Sequence, residues 1–156
     1  MRLAARIAEW IPRWHPDAVF VDDGRVGGVV VDRLHQLGFH IVQGVNFGMR
    51  SDSGRTQENA SNKRTEMWLS ARDWIAGGAL PDDDRLAEEL TAPMYGYDAK
   101  NALVLERKDS LRKRGIPSPD IADAFALKFA YPVWPQQDEE EPDTAFDIGR
   151  SSTTGY

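Results

Sequence analysis

Apolar and polar positions alternate along this chain in two different rhythms. Over residues 2–14, Leu3, Ile7, Trp10, Ile11 and Trp14 recur every three or four positions, which predicts an amphipathic helix, ended by Pro16. Ala18-Val19-Phe20-Val21 is a short apolar run and reads as a buried strand over 18–22, leading into the turn Asp22-Asp23-Gly24. A helix over 27–37 and a second strand over 40–45, with Gly38 as a C-cap between them, complete a β-α-β unit. Such a unit predicts parallel strands joined by a right-handed crossover. Strand 18–22, apolar throughout, is expected at the centre of its sheet.

Residues 47–61 are polar and rich in Ser, Gly and Asn, which predicts a mobile loop. Residues 62–76 then read as a strong helix turning Met67, Trp68, Ala71, Trp74 and Ile75 to the core, stopped by Gly77-Gly78. A short helix is expected over 82–90, with Asp82-Asp83-Asp84 serving its dipole rather than a metal. Residues 94–98 and 102–106 read as a hairpin around Lys100-Asn101. A last, nearly all-apolar helix spans 121–130, with Ser118 as its cap and Pro119 suited to its first position. Pro132 and Pro135 break regular structure after that helix. The rest, 136–156, has few large apolar residues and is expected to be disordered. The domain reading is thus 1–135, with an acidic tail at 136–156.

Composition narrows the possibilities. A chain of 156 residues with 41% hydrophobic content and five Trp can build one core. There is no apolar run of about 18 residues, so no membrane-spanning helix is expected. No secretory leader is evident, because Arg2, Arg6 and Glu9 interrupt the first apolar positions. The absence of Cys excludes disulfides and thiolate metal sites, and His15, His35 and His40 lack zinc spacing. Net charge is −6, but residues 136–156 hold six acidic side chains against Arg150 alone. The remainder is close to neutral, and local basic patches can still hold phosphates. The cluster Lys108, Arg112, Lys113 and Arg114, together with Lys63 and Arg64, is the candidate DNA-contacting surface; its plainer reading is solvated surface.

Three carboxylates carry the candidate chemistry. Asp22 falls at the carboxyl end of the first strand, where open α/β sheets place their ligands. The alternative is an ordinary Asp-Gly turn. Asp120 and Asp123 stand three apart on the final helix and so share a face. Asp120 also suits a helix N-terminus. Asp123 lies past the first turn between Ala122 and Ala124, where an unpaired buried carboxylate is costly and a divalent cation would relieve the cost. Carboxylate oxygens suit Mg²⁺ or Mn²⁺. Gly24, Gly27 and Gly28 match neither common phosphate-loop fingerprint, so a nucleotide site is weakly supported.

An ordered set of segments resembles the nuclease domain of phage terminase large subunits. They are 16–22 (Pro-Asp-Ala-Val-Phe-Val-Asp), 27–34, 45–48, 62–68 (Asn-Lys-Arg-Thr-Glu-Met-Trp), 103–108 (Leu-Val-Leu-Glu-Arg-Lys) and 113–124. The resemblance implies an α/β, RNase H-like mixed sheet flanked by helices. It also implies Mg²⁺- or Mn²⁺-dependent endonuclease chemistry on double-stranded DNA during genome packaging, in a bacterial host cytoplasm, alongside other terminase and portal components. By the same resemblance Asp22 takes the family's second acidic position, Asp123 the acidic position of its last motif, and Asp120 the polar position one turn earlier. The family's first acidic residue lies on an opening strand ahead of the helix that here begins at Arg2, and no such strand precedes it. The expected fold therefore lacks its first strands, and the chain reads as the later part of such a domain from a split, shortened or decayed gene. A non-catalytic DNA- or partner-binding remnant of the motor is the alternative.

Overall fold

A computed structural model of the protein describes residues 2–24, 26–52 and 56–134. In chain order the elements are α1 (Arg2–Trp14), β1 (Val19–Asp22), α2 (Gly27–Gln36), β2 (Val42–Val45), α3 (Lys63–Ile75), α4 (Asp84–Thr91), β3 (Tyr95–Tyr97), β4 (Leu103–Leu105), α5 (Lys108–Lys113) and α6 (Asp120–Leu127).

The β-α-β unit forms as its pattern predicts. β1 and β2 are parallel, with Val19 opposite Val42 and Asp22 opposite Val45. Gly38, at φ +89°, ends α2 in the left-handed region, and Phe39 N–H returns to Leu34 C=O at 3.0 Å. The turn from β1 into α2 is tight enough to demand glycine. A Cβ on Gly27 would lie 1.7 Å from the Asp22 carbonyl oxygen.

Strand alternation separates two cores. Val19 and Val21 pack with Ala4 and Ile11 of α1, Val30, Val31 and Leu34 of α2, and Val42. Phe20 turns to the opposite face and joins Val45, Met67, Trp68, Ala71, Leu86, Ala122 and Ala126. The small sheet is therefore sandwiched, with α1 and α2 on one face and α3, α4 and α6 on the other. Among the described residues β1 has β2 as its sheet partner, and β3 pairs antiparallel with β4 in a second two-stranded sheet. The central position expected for β1 is thus not seen there; the fold is mixed α/β with small sheets.

Three other expectations are corrected. The face of α1 is rotated from the expected one: Ala4 and Ile11 are buried, while Leu3, Trp10 and Trp14 are exposed. Small Ala4 lets α1 approach α2 closely, and the bulky tryptophans are left outside. The loop after β2 is tied to α3 rather than detached from it. Lys63 N–H donates to Met49 C=O at 2.8 Å, and Asp52 N–H donates to Glu66 Oε2 at 2.5 Å. Ser118 does not cap α6; Pro119 occupies the N-cap position without a side-chain cap bond.

The remaining local chemistry agrees with the sequence pattern. Asp83 caps α4 by accepting from Leu86 N–H at 3.0 Å, so that aspartate run serves the helix start. Asp98 Oδ1 accepts from Lys100 and Ala102 N–H in the hairpin turn, where Asn101 adopts φ +57°. No helix among the described residues is long and apolar enough to cross a membrane. The expectation of a disordered 136–156 tail lies outside the described residues.

Candidate functional site

Asp123 lies at the focus of the α3–α6 interface. It is only 4% exposed. Its Oδ1 accepts from Arg64 Nε at 2.9 Å and from Trp68 Nε1 at 2.8 Å. Arg64 and Trp68 stand four apart on α3, so one helix face supplies both donors. On the other side, Lys108 Nζ sits 2.8 Å from Asp123 Oδ2 and 3.7 Å from Asp120 Oδ1. The Lys108 contact with Oδ2 is ionic rather than an aligned hydrogen bond. Asp123 is thus solvated by protein cations and an indole N–H instead of water, which offsets the cost of burying it.

The supports of that cluster reach further. Arg64 also donates Nη1 to the Glu106 carbonyl at 2.8 Å and lies over the Trp68 ring. The Glu106 carboxylate takes Ser110 Oγ at 2.7 Å, Met94 N–H at 3.0 Å and the Arg114 guanidinium. These contacts, the Ser110 hydroxyl first, hold the Glu106 carboxyl below the usual carboxylate range. One residue thereby ties the end of β4 to α5, the hairpin and Arg64. The missing cap of α6 comes from Glu89 on α4, whose Oε2 accepts from Ile121 N–H at 2.6 Å and Ala122 N–H at 3.1 Å. Those are orphan donors of the helix start, and a carboxylate there also suits the helix dipole. Glu89 therefore fixes the beginning of α6, and with it the placement of Asp120 and Asp123.

Asp22 ends β1 exposed, and its Oδ1 accepts from Gly24 N–H at 3.0 Å. Alternation puts it on the same sheet face as Phe20, the face covered by α6. An open cleft of 560 Å³ is lined by Pro16, Ala18 and Phe20 on one side and by Ala124, Leu127 and Lys128 on the other. The start of β1 therefore shares a cleft with the second half of α6. Among the described residues, no three His, Asp or Glu side chains gather into a group that could hold a metal ion.

The basic residues divide into two kinds. Lys63 and Arg64, expected on a basic surface, are buried instead. Lys63 is fully buried, 2.7 Å from Asp52 and 2.9 Å from Glu66, with its ammonium 4.4 Å from the Tyr131 ring centroid. Arg64 is buried against Asp123. Helix α3 is enclosed by α6, β4 and the loop after β2, and its first turns have no solvent face. Arg112 and Lys113 are exposed, with Arg112 paired to Asp109 at 2.9 Å. Arg114 is engaged with Glu106, and Lys108 faces the two aspartates.

Sequence reasoning did not find Arg64, Trp68, Glu89 or Glu106 as site supports. The Lys63–Glu66 and Arg64–Trp68 spacings offered a local signal. Glu89 offered none, because its partner lies more than thirty residues away.

No protein-family model and no curated protein matches this sequence. Solved structures do match the fold. The nuclease domain of the large terminase subunit gp2 of bacterial virus Sf6 aligns with TM-score 0.65 at 19% identity, over 83% of this chain and 72% of that one. A mutant of that domain with manganese aligns with TM-score 0.63 at 20% identity over the same shares. The mutant with manganese and beta-thujaplicinol gives 0.62 at 18%. This is the domain whose motifs the sequence resembles, and the chain has the fold of a large-terminase nuclease domain.

Proposed function

We propose that this chain is the nuclease part of a phage DNA-packaging terminase large subunit, with an RNase H-like fold, and that it acts on double-stranded DNA with Mg²⁺ or Mn²⁺ held by Asp22, Asp120 and Asp123. The observation that supports the reading is that β1, ending in the exposed Asp22, packs the Phe20 face of its sheet on α6, the helix that carries Asp120 and the buried Asp123.

Asp120 and Asp123 together face one cation position, and Asp22 does not gather with them among the described residues. The Lys108 ammonium already occupies a cation position between Asp120 and Asp123. Mg²⁺ commonly binds through one or two carboxylates while keeping several waters, so a three-residue protein cage is not required. When bound, such an ion activates a water and stabilises the leaving oxygen of the phosphodiester. The protein's part is positional. Arg64 and Trp68 fix Asp123 Oδ1, which leaves Oδ2 as the oxygen turned to Lys108 and to any cation replacing it. Glu89 fixes the start of α6. The exposed Arg112 and Lys113 supply charge for the DNA backbone. Other terminase components and the portal are the partners this role implies.

A second reading, a non-catalytic DNA- or partner-binding fragment of the motor, is favoured by the full set of donors already surrounding Asp123. Incubation of the purified chain with supercoiled plasmid and Mn²⁺ separates the two. Slow nicking that disappears in Asp22→Asn and in Asp123→Asn supports the nuclease. Nicking that survives both substitutions overturns the carboxylate assignment, and no nicking with no Mn²⁺ binding supports the second reading.

A further inference from the structure

The outer face of α1 has no role in either core. Trp14 is 74% exposed, Leu3 57% and Trp10 43%. The Trp10 and Trp14 rings stack at 5.5 Å and 13°, and the Arg6 guanidinium lies 5.6 Å from the Trp10 ring centroid. Arg2, Arg6 and Arg13 give α1 three positive charges against Glu9. The helix is held by its opposite side, Ala4 and Ile11 against α2, so the aromatic face is not needed for packing. Trp and Arg together are the residue types that dominate binding hot spots. A stacked, solvated tryptophan pair rimmed by arginines has the character of a docking surface for an acidic segment.

We propose that the acidic segment 138–147 of this same chain docks on the Arg6–Trp10–Trp14 face of α1. Two observations select that occupant. The first is position. Val133 lines the same cleft as Pro16, Asp17 and Ala18, which come directly after the end of α1. Val133, five residues before the acidic segment, thus lies at the cleft formed by the residues that follow α1. At roughly 3.3–3.6 Å per residue, the stretch from 135 to 147 exceeds the roughly 20 Å length of a thirteen-residue helix. The second is charge. Segment 138–147 holds six acidic residues and no basic one, and Phe146 adds an aromatic ring to meet the indoles. Opposite charges held at high effective concentration by a short tether associate without needing high intrinsic affinity. Surface electrostatics of this kind are screened by salt. The consequence is that part of the segment's negative charge is neutralised by Arg2, Arg6 and Arg13 on α1, on the far side of the sheet from Asp123.

The chain has no cysteine, so Glu140→Cys gives a single site for a nitroxide label on the full-length protein. Indole N–H signals of the five Trp are then monitored by NMR. Docking broadens Trp10 and Trp14 and spares Trp68 and Trp74. Adding Arg6→Glu and Arg13→Glu relieves the broadening severalfold, as does high salt. Both arginines are exposed, and unchanged Trp68 and Trp74 signals report an intact core. Absence of broadening overturns the proposal. So does broadening that persists in the charge-reversed variant, or that passes from labelled chains to unlabelled ones, which would make the occupant a second copy.

Discussion

Arg64 Nε and Asp123 Oδ1 meet at 2.9 Å inside the protein although 59 residues separate them in the chain. This pair joins α3 to α6 and fixes which oxygen of Asp123 faces Lys108. Both side chains are nearly enclosed, so removing either leaves a buried charge short of a partner. Arg64→Ala is expected to destabilise the fold by about 3–5 kcal/mol, measured by denaturant unfolding. Asp123→Asn retains an acceptor for Trp68 Nε1 and is expected to cost less. It is therefore the substitution of choice for activity work.

Lys63 is expected to act on stability and not on DNA. Its ammonium neutralises the buried Glu66, so Lys63→Ala should lower thermal stability sharply. A double substitution of Arg112 and Lys113 should leave the melting temperature nearly unchanged. It should weaken binding to duplex DNA and flatten the salt dependence by about two ions, one per lost phosphate contact. Fluorescence anisotropy over a salt series, beside thermal melts, distinguishes the two pairs.

Glu89→Ala should cost about 1–3 kcal/mol, because the N–H groups of Ile121 and Ala122 lose a shared acceptor. Glu89→Gln keeps an acceptor and is expected to recover part of the loss. If α6 is positioned this way, Glu89→Ala also reduces divalent-ion binding without touching a carboxylate of the site.

Glu106 gives the fold an acid-sensitive clamp. Its folded-state carboxyl lies below the ordinary value of 4.5, held there by Ser110, Met94 N–H and Arg114. A lowered carboxyl pKa contributes stability that is complete above the unfolded-state value and is lost as pH falls through the folded one. Wild type should therefore exceed Glu106→Gln in melting temperature at neutral pH, and the gap should close in strong acid. A gap independent of pH would contradict this.

Legibility in the sequence depends on the range of the interaction. The Gly38 stop, the Asp83 cap and the Asp98–Asn101 turn rest on neighbours within a few residues, and each is readable, as are the local apolar patterns of the β-α-β unit. The burial of Lys63 and Arg64 is not. Two consecutive cations read as surface, and besides Glu66 on α3 itself, the oxygen acceptors that make their burial tolerable come from α6, the residue after β4 and the loop after β2, brought together by tertiary packing. The α1 face departs from its pattern for a related reason. Trp10 and Trp14 fit the apolar spacing, but the close contact with α2 selects the smaller Ala4. In the candidate site, Asp123 stands out as a carboxylate among alanines, whereas Glu89 and Glu106 act through partners that no local pattern marks.

Lys108 holds the cation position between Asp120 and Asp123, so Lys108→Ala should vacate it and tighten Mn²⁺ binding. Titration calorimetry checks the direction; unchanged affinity would mean that the ammonium does not compete.

The most direct test of a shared carboxylate site is Mn²⁺ binding to the purified chain, measured by electron paramagnetic resonance of the free ion. Saturable binding is expected, and it should be lost or weakened at least tenfold in Asp22→Asn and, separately, in Asp123→Asn, with folding verified by circular dichroism. Binding lost in Asp123→Asn but unaffected in Asp22→Asn would contradict a site shared between the end of β1 and α6.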